Sequence, residues 1–479
     1  MSECRSLKLF MKNYKQQFKG KKITVMGLGI LGRGLGYTKF LAECGADLIV
    51  TDLKPSTALR PSLEKLHKYS NIKYTLGEHR LEDFRNRDMI IKAAGVPFDS
   101  IYIKEAKKNG IPIEMDVSLF AKYASKVMII GVTGTRGKSM TTTLIYEILK
   151  QGLNRSKGAV GRKTLQSKVF LGGNLRGVAT LPLLKKVKAG DILVCELDSW
   201  QLQGFGEMRI SPRISVFTTF MPDHINYYKN NMEKYFDDKA NIFKYQKKGD
   251  ILIVRPGMKK FINKKDIKGK LVIVNPKDVK DWKFNVPGIH HRENMACAVE
   301  VAKILGIPKI KIKKVIAEFK ELEGRLQLLI TYKGIKIYND NNATTPEATV
   351  AGIKALAKLR KSDFLKSSAR TVLAEKKIIL ICGGADKGLN LDNFVKVVNT
   401  HCKSVVMISG TGTERLINNY ELRIKNEVGK DLKDAIKTAL GLASRGDIIL
   451  FSPAFASFGM FNNEYERNDL FVKIIRKLK

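Results

Sequence analysis

The sequence predicts an α/β protein of three domains, built from doubly wound parallel sheets in series. Three observations lead there. Short apolar runs rich in Val and Ile alternate with longer helical patterns, and their continuous apolar character marks strands covered on both faces. At roughly 150 residues per domain, 479 residues make about three domains. Hydrophobic residues at 44% and charged residues at 28% suffice for several cores and exclude a disordered or fibrous chain. No run of about 18 apolar residues occurs, which argues against a spanning helix. The basic, charge-broken first twenty residues lack the apolar centre of a secretory signal.

Taken in order, strands are expected at 23–27, 47–52 and 88–93, a complete βαβ nucleotide-type unit. A helix over Asp116–Ala124 precedes a second sheet, with strands at 127–134, 191–198, 214–220, 250–254 and 270–275. A third βαβ series begins near Ile330, after the polar stretch Glu321–Leu326, with strands at 335–340, 377–384, 404–410 and 447–454. The expected domains are residues 1–118, 119–322 and 323–479. The polar segment Lys361–Lys376 reads as a surface excursion inside the third.

Charge is the unusual quantity. Lys plus Arg is 86 and Asp plus Glu is 46, a net charge of +40. Such a field attracts anions of any kind. The excess is mostly Lys and spread along the chain, whereas nucleic-acid proteins concentrate theirs in a patch, so neither nucleic acid nor a membrane is an expected partner. Six scattered cysteines without a C-x-x-C pair fit reduced thiols in the cytoplasm.

Two motifs carry chemistry. Gly27-Leu28-Gly29-Ile30-Leu31-Gly32 joins a strand to a helix, and Asp52 closes the next strand. Only glycine allows the tight turn and close backbone approach to a pyrophosphate, with the acid placed for a ribose or base. By itself this turn suits an NAD-dependent dehydrogenase as well as a UDP-sugar binder. Gly131-Val132-Thr133-Gly134-Thr135-Arg136-Gly137-Lys138-Ser139 follows the strand at 127–134 and opens a helix over Met140–Lys150. Its N–H groups can cradle phosphates, Lys138 can reach the outer ones, and Ser139 can ligate Mg²⁺. Val132 stands where the Walker pattern has Gly. Two nucleotide-type sites in separate sheets disfavour a simple dehydrogenase.

The variant G-x-x-G-T-x-G-K-[ST] loop, preceded by a glycine-turn domain, resembles the Mur ligases, most of all their D-glutamate-adding type. The resemblance spans nearly the whole chain. Glu196-Leu197-Asp198-Ser199-Trp200-Gln201-Leu202 is similar to the family's E-x-S-S-x-Q-L, Pro222-Asp223-His224-Ile225-Asn226 to its D-H-x-D, and Asp238-Lys239-Ala240-Asn241-Ile242-Phe243 to its K-x-x-I-[FY]. Gly288-Ile289-His290-His291-Arg292-Glu293-Asn294 resembles the adenine-side helix start, and Gly324-Arg325 the entry to the third domain. Gly383-Gly384-Ala385-Asp386-Lys387-Gly388 and Ser452-Pro453-Ala454-Phe455-Ala456-Ser457-Phe458 resemble the segments that hold the incoming glutamate.

The resemblance implies an ATP-dependent amide ligase that joins D-glutamate to UDP-N-acetylmuramoyl-L-alanine through an acyl phosphate in peptidoglycan precursor synthesis, acting as a cytoplasmic monomer. It implies Lys138, Glu196, His224 and Lys239 as catalytic residues. ATP would be held by Gly134, Thr135, Gly137, Lys138, Ser139, Asn294, Arg325 and Asp340. The UDP-sugar would meet Gly29, Ile30, Leu31, Asp52, Asn174 and Gln201, and glutamate would meet Thr344, Lys387 and Ser457. Two Mg²⁺ ions would sit on Ser139, Glu196, His224 and Lys239, the last as a carbamate. The chain departs from the family pattern at Arg136, Asn226, His291 and Asn342, and Asn342 lacks the charge of the family's Lys. The alternatives are a Mur-type ligase with L-glutamate or another acceptor, a basic nucleic-acid-binding ATPase, and a scaffold that binds nucleotides without turnover.

Overall fold

The computed structural model describes residues 14–153, 167–364 and 376–478. Cys4 and residues 365–375 of the expected surface excursion lie outside them. Packing divides the chain into two compact units, Met1–Asn275 with Asn294–Ile312, and Pro276–Glu293 with Lys313–Lys479.

The first unit holds two sheets. In the first, β1 (Lys22–Met26), β2 (Asp47–Asp52), β3 (Ile72–Leu76), β4 (Met89–Lys92) and β5 (Ile113–Glu114) lie in the order β3-β2-β1-β4-β5, all parallel. This is the doubly wound strand order, which reverses direction between β1 and β4, with the glycine turn at the carboxyl end of β1, the central strand. In the second, β6 (Met128–Thr133), β7 (Val169–Gly173), β8 (Ile192–Glu196), β9 (Ile214–Phe217), β10 (Ile251–Val254) and β11 (Lys270–Ile273) lie in the order β11-β10-β9-β6-β8-β7. All its pairings are parallel. Every residue of β8 and β9 is buried, the continuous apolar signature of strands covered on both faces. The two sheets share a core in which Phe18, Phe40, Phe120, Leu193, Leu202 and Phe217 are buried together. The Asp116 carboxylate, at the start of the helix Asp116–Tyr123, accepts the N–H groups of Thr180 (2.8 Å) and Leu181 (2.7 Å).

The second unit holds the third sheet. Here β12 (Gln327–Tyr332), β13 (Ile335–Asn339), β14 (Ile378–Gly383), β15 (Cys402–Ile408), β16 (Lys425–Gly429) and β17 (Ile448–Phe451) lie in the order β12-β13-β17-β14-β15-β16. One expectation is corrected: the sheet is not wholly parallel, because β12 runs antiparallel to β13. The two are joined by Lys333 (φ 47) and Gly334 (φ 80). A two-residue connection with both φ positive is a hairpin turn and cannot return the chain to parallel. Residues 361–364, at the start of the segment Lys361–Lys376, are the end of the helix Pro346–Phe364.

The described cysteines Cys44, Cys195, Cys297, Cys382 and Cys402 are buried free thiols. No helix among the described residues is long and apolar enough to cross a membrane.

Candidate active site

The centre of the first unit is built where three adjacent strands, β9, β6 and β8, end side by side. The phosphate loop follows β6 and leads into the helix Lys138–Gly152. Two glycines are required there. Gly134 has φ 142 and a Cβ would meet Thr218 Oγ1 at 2.1 Å; Gly137 has φ 90 and a Cβ would meet Asn294 Oδ1 at 2.4 Å. The loop is tied to the segment after β9: Thr135 N–H donates to Thr219 O (2.7 Å), Arg136 N–H to Thr219 Oγ1 (2.8 Å), and Thr218 Oγ1 to Thr133 O (3.0 Å). The Arg136 guanidinium pairs with the buried Asp223 carboxylate at 2.8 Å. The departure at Arg136 thus gives the loop a cross-strand anchor.

Two lysines converge on one carbonyl. Lys138 Nζ donates to Gly134 O (2.9 Å) and Thr135 O (3.2 Å), and Lys239 Nζ donates to the same Gly134 O (3.1 Å). Lys239 is 1% exposed and packs on the Tyr235 ring at 4.9 Å. Burial lowers the Lys138 ammonium's pKa, against the pull of Glu196. Burial, and then the neighbouring Lys138 charge, hold Lys239 well below the usual lysine range. Glu196 ends β8, in register with Val132 of β6, and is 4% exposed. Its Oε2 is buried with no hydrogen-bond partner. A buried carboxylate oxygen without a donor is costly unless a cation takes it. His224 sits at φ 53, its ring 4.7 Å from Trp200 and its Nε2 3.9 Å from Asp223 Oδ2. Ser139 lies on the first turn of the loop's helix. The structure therefore gathers Lys138, Ser139, Glu196 and Lys239 at one sheet edge, with Asn294 against Gly137. The His290 and His291 rings lie 4.0 Å apart, tilted at 46°, and no group of three metal-ligating acid, His or Cys side chains occurs among the described residues.

At the glycine turn the Asp52 carboxylate is already committed: Oδ2 accepts the Gly29 N–H (2.8 Å) and Oδ1 the Lys54 N–H (2.9 Å). Ile30 and Leu31 are 46% and 43% exposed, an apolar surface at the carboxyl edge where doubly wound folds bind ligands. Asn174 is reached by Arg33, whose Nη2 donates to its Oδ1 at 2.7 Å. Sequence reasoning missed Arg33, although it directly follows the glycine turn. Gln201 is buried and caps the helix Ser199–Glu207: Asp198 Oδ1 accepts Gln201 N–H (2.7 Å), and Gln201 Oε1 accepts Asp198 N–H (3.3 Å). A cavity of about 380 Å³ lined by Gln203, Tyr227, Tyr228 and Asp238 opens beside the Lys239 helix.

In the second unit the strand order β13-β17-β14 sets three loops side by side. Lys387 Nζ donates to Thr344 Oγ1 at 3.3 Å. Ala385 and Ala456 exchange backbone hydrogen bonds of 3.0 Å, which brings buried Ser457 alongside the Lys387 loop. Gly384 (φ 134) is required there, since a Cβ would lie 2.2 Å from Ala456 O. Asp340 is buried, accepts the Leu326 N–H (3.1 Å) and the Ser452 hydroxyl (2.8 Å), and burial pushes its pKa up to about 7. Arg325 lies on the neighbouring segment, its N–H donating to Leu322 O.

Three family models match in chain order: "Mur ligase MurD-like, N-terminal domain" over 21–114, "Mur ligase middle domain" over 132–298, and "Mur ligase, glutamate ligase domain" over 324–455. The UDP-N-acetylmuramoylalanine–D-glutamate ligase of Borreliella afzelii is 33% identical over 96% of this chain and 99% of its own length. The protein of the same name from Acetivibrio thermocellus is 31% identical over 98% and 99%. The chain belongs to the Mur ligases. It is thus an enzyme of an ATP-using ligase family. The Mur ligase fold is seen in the UDP-N-acetylmuramate–alanine ligase of Thermotoga maritima, with a TM-score of 0.59 at 18% identity over 96% of this chain and 100% of that one. The MurF ligase of Thermotoga maritima in complex with ADP gives 0.53 at 16% identity, covering 97% of each chain.

Proposed function

We propose that this Mur ligase joins D-glutamate to UDP-N-acetylmuramoyl-L-alanine in the cytoplasm, with ATP converting the alanyl carboxylate to an acyl phosphate. The family and the names of its 30–33% identical relatives support the reaction. The observation that carries the chemistry is the convergence of Lys138 and Lys239 on Gly134 O beside the unpartnered Glu196 oxygen. The first 118 residues would hold the UDP-sugar, residues 119–322 ATP, and residues 323–479 the amino acid.

Lys138 and the loop N–H groups other than those of Thr135 and Arg136, which Thr219 takes, hold the triphosphate, and Asn294 backs Gly137 at the adenine side. Ser139, Glu196, His224 and Lys239 fit Mg²⁺: they offer a hydroxyl, a buried carboxylate oxygen lacking a donor, an imidazole and a latent carboxylate. Mg²⁺, when bound, neutralises phosphate and carboxylate oxygens brought close together. Lys239 supplies that latent carboxylate because its buried amine favours the neutral form. The nitrogen lone pair adds to CO₂ and one N–H proton leaves, giving –NH–COO⁻ where an ammonium would repel the metal. The family resemblance adds Arg325 and Asp340 to the residues proposed for the nucleotide. Thr344, Lys387 and Ser457 hold the glutamate, Lys387 as counter-charge to one of its carboxylates.

A phosphate-release screen pairing each amino acid with UDP-N-acetylmuramoyl-L-alanine tests the reading. Release that needs ATP, the sugar nucleotide and D-glutamate together is expected. Release with L-glutamate alone would overturn the specificity, and nucleic-acid-stimulated release without an amino acid would overturn the ligase reading. Asp52→Asn tests the first sheet. Because the carboxylate fixes the turn through the Gly29 N–H, the KM for the UDP-sugar should rise about 10-fold and that for ATP stay unchanged, a loss of about 1.4 kcal/mol from one charge-assisted hydrogen bond.

A further inference from the structure

Arg467 lies on the C-terminal helix Glu464–Arg476 and is 0% exposed, among the largest fully buried side chains described. A buried guanidinium is costly unless its donors are met and its charge is used. Its Nε donates to Asn341 Oδ1 (2.8 Å), its Nη2 to Asn341 O (3.2 Å) and its Nη1 to Phe455 O (3.4 Å). These acceptors are an amide and two backbone carbonyls, so none of these contacts neutralises the charge. They belong to two loops. Asn341 is three residues before Thr344, and Phe455 is two before Ser457. Asn341 is itself pinned to the helix start by Nδ2 donating to Glu464 O (2.9 Å). Burial lowers the Arg467 pKa to about 10, which leaves it charged at neutral pH.

We infer that Arg467 is the positioning residue of the amino-acid site: it staples the Thr344 and Ser457 loops and sets a fixed positive charge behind them for an acidic amino acid. The inference deepens the D-glutamate reading and rests on it. Asn342, which carries no charge at the same loop, makes Arg467 and Lys387 the cations that the observed contacts attach to these loops.

The test compares steady-state kinetics of the full chain and two variants. Arg467→Gln keeps hydrogen-bonding capacity and removes the charge; the KM for D-glutamate should rise about 20-fold, in the range of a lost charge-assisted contact, with the KM values for ATP and UDP-sugar within about two-fold. Arg467→Lys restores the charge but not the three-way fork, and its D-glutamate KM should rise only about 3- to 5-fold. A loss of kcat with all three KM values unchanged, or a parallel rise in all three, would overturn the assignment. If the glutamine variant does not fold, the lysine variant decides, and an unchanged D-glutamate KM in it overturns the proposal. Wild-type protein without D-glutamate turnover in the same assay would instead refute the substrate reading.

Discussion

Lys239→Met is expected to lower ligation about 10³-fold while the protein melts about 2–4 °C higher, the shift that about 1 kcal/mol makes in a domain of this size. The two effects come from one cause. The amine is 1% exposed and donates to the Gly134 carbonyl, which it shares with Lys138. Burying a polar amine there costs desolvation, and methionine of similar length removes that cost. Such a cost is expected of a lysine reserved for chemistry and not of a structural one. If the amine becomes a carbamate, wild-type protein given ¹³C-bicarbonate and Mg²⁺ should show a carbamate carbon resonance that the variant lacks. Phosphate release and a thermal melt in one buffer check the rest. Unaltered turnover in Lys239→Met would refute the carbamate.

Much of this architecture was legible in the sequence, and what was not has a common cause. The strands missed were β3, β5, β7, β12 and β16, and all five lie at sheet edges. An edge strand has one neighbour and less cover, so its apolar run is diluted: β3 has the burial of Lys73 and Tyr74 given up to solvent, and β16 reads Lys-Asn-Glu-Val-Gly. The glycine turn and the phosphate loop were readable because ligand chemistry restricts residue type at short spacing, whereas Glu196 and Lys239 were singled out only by the family resemblance. What a side chain does when no ligand is present was not readable. Asp52 holds Gly29, and Gln201 closes a capping box. The partners Arg33–Asn174, Arg136–Asp223 and Arg467–Asn341 are 141, 87 and 126 residues apart, and only the fold makes them neighbours. Arg467 gave no signal at all, since an Arg in a polar helix reads as surface.

Glu196→Gln should lower kcat about 10³-fold and raise the Mg²⁺ concentration needed for half-maximal rate, while leaving the fold as stable as before or about 1 kcal/mol more stable. The sign of the stability change separates two roles. If Glu196 existed to balance the Lys138 charge, glutamine would leave that ammonium uncompensated and the protein would lose stability. The geometry argues otherwise. Lys138 Nζ donates to the carbonyls of Gly134 and Thr135, and Glu196 Oε2 is buried with no donor. An isosteric amide at the end of β8 keeps the packing against β6 and gives up only the charge. The charge favours the Lys138 ammonium, but Oε2 itself has no donor, and on the metal reading that oxygen is used when a cation arrives with the triphosphate. Thermal melts of both proteins with and without Mg²⁺ and an ATP analogue decide it: the wild type should gain the larger stabilisation, and equal gains would remove Glu196 from the metal site.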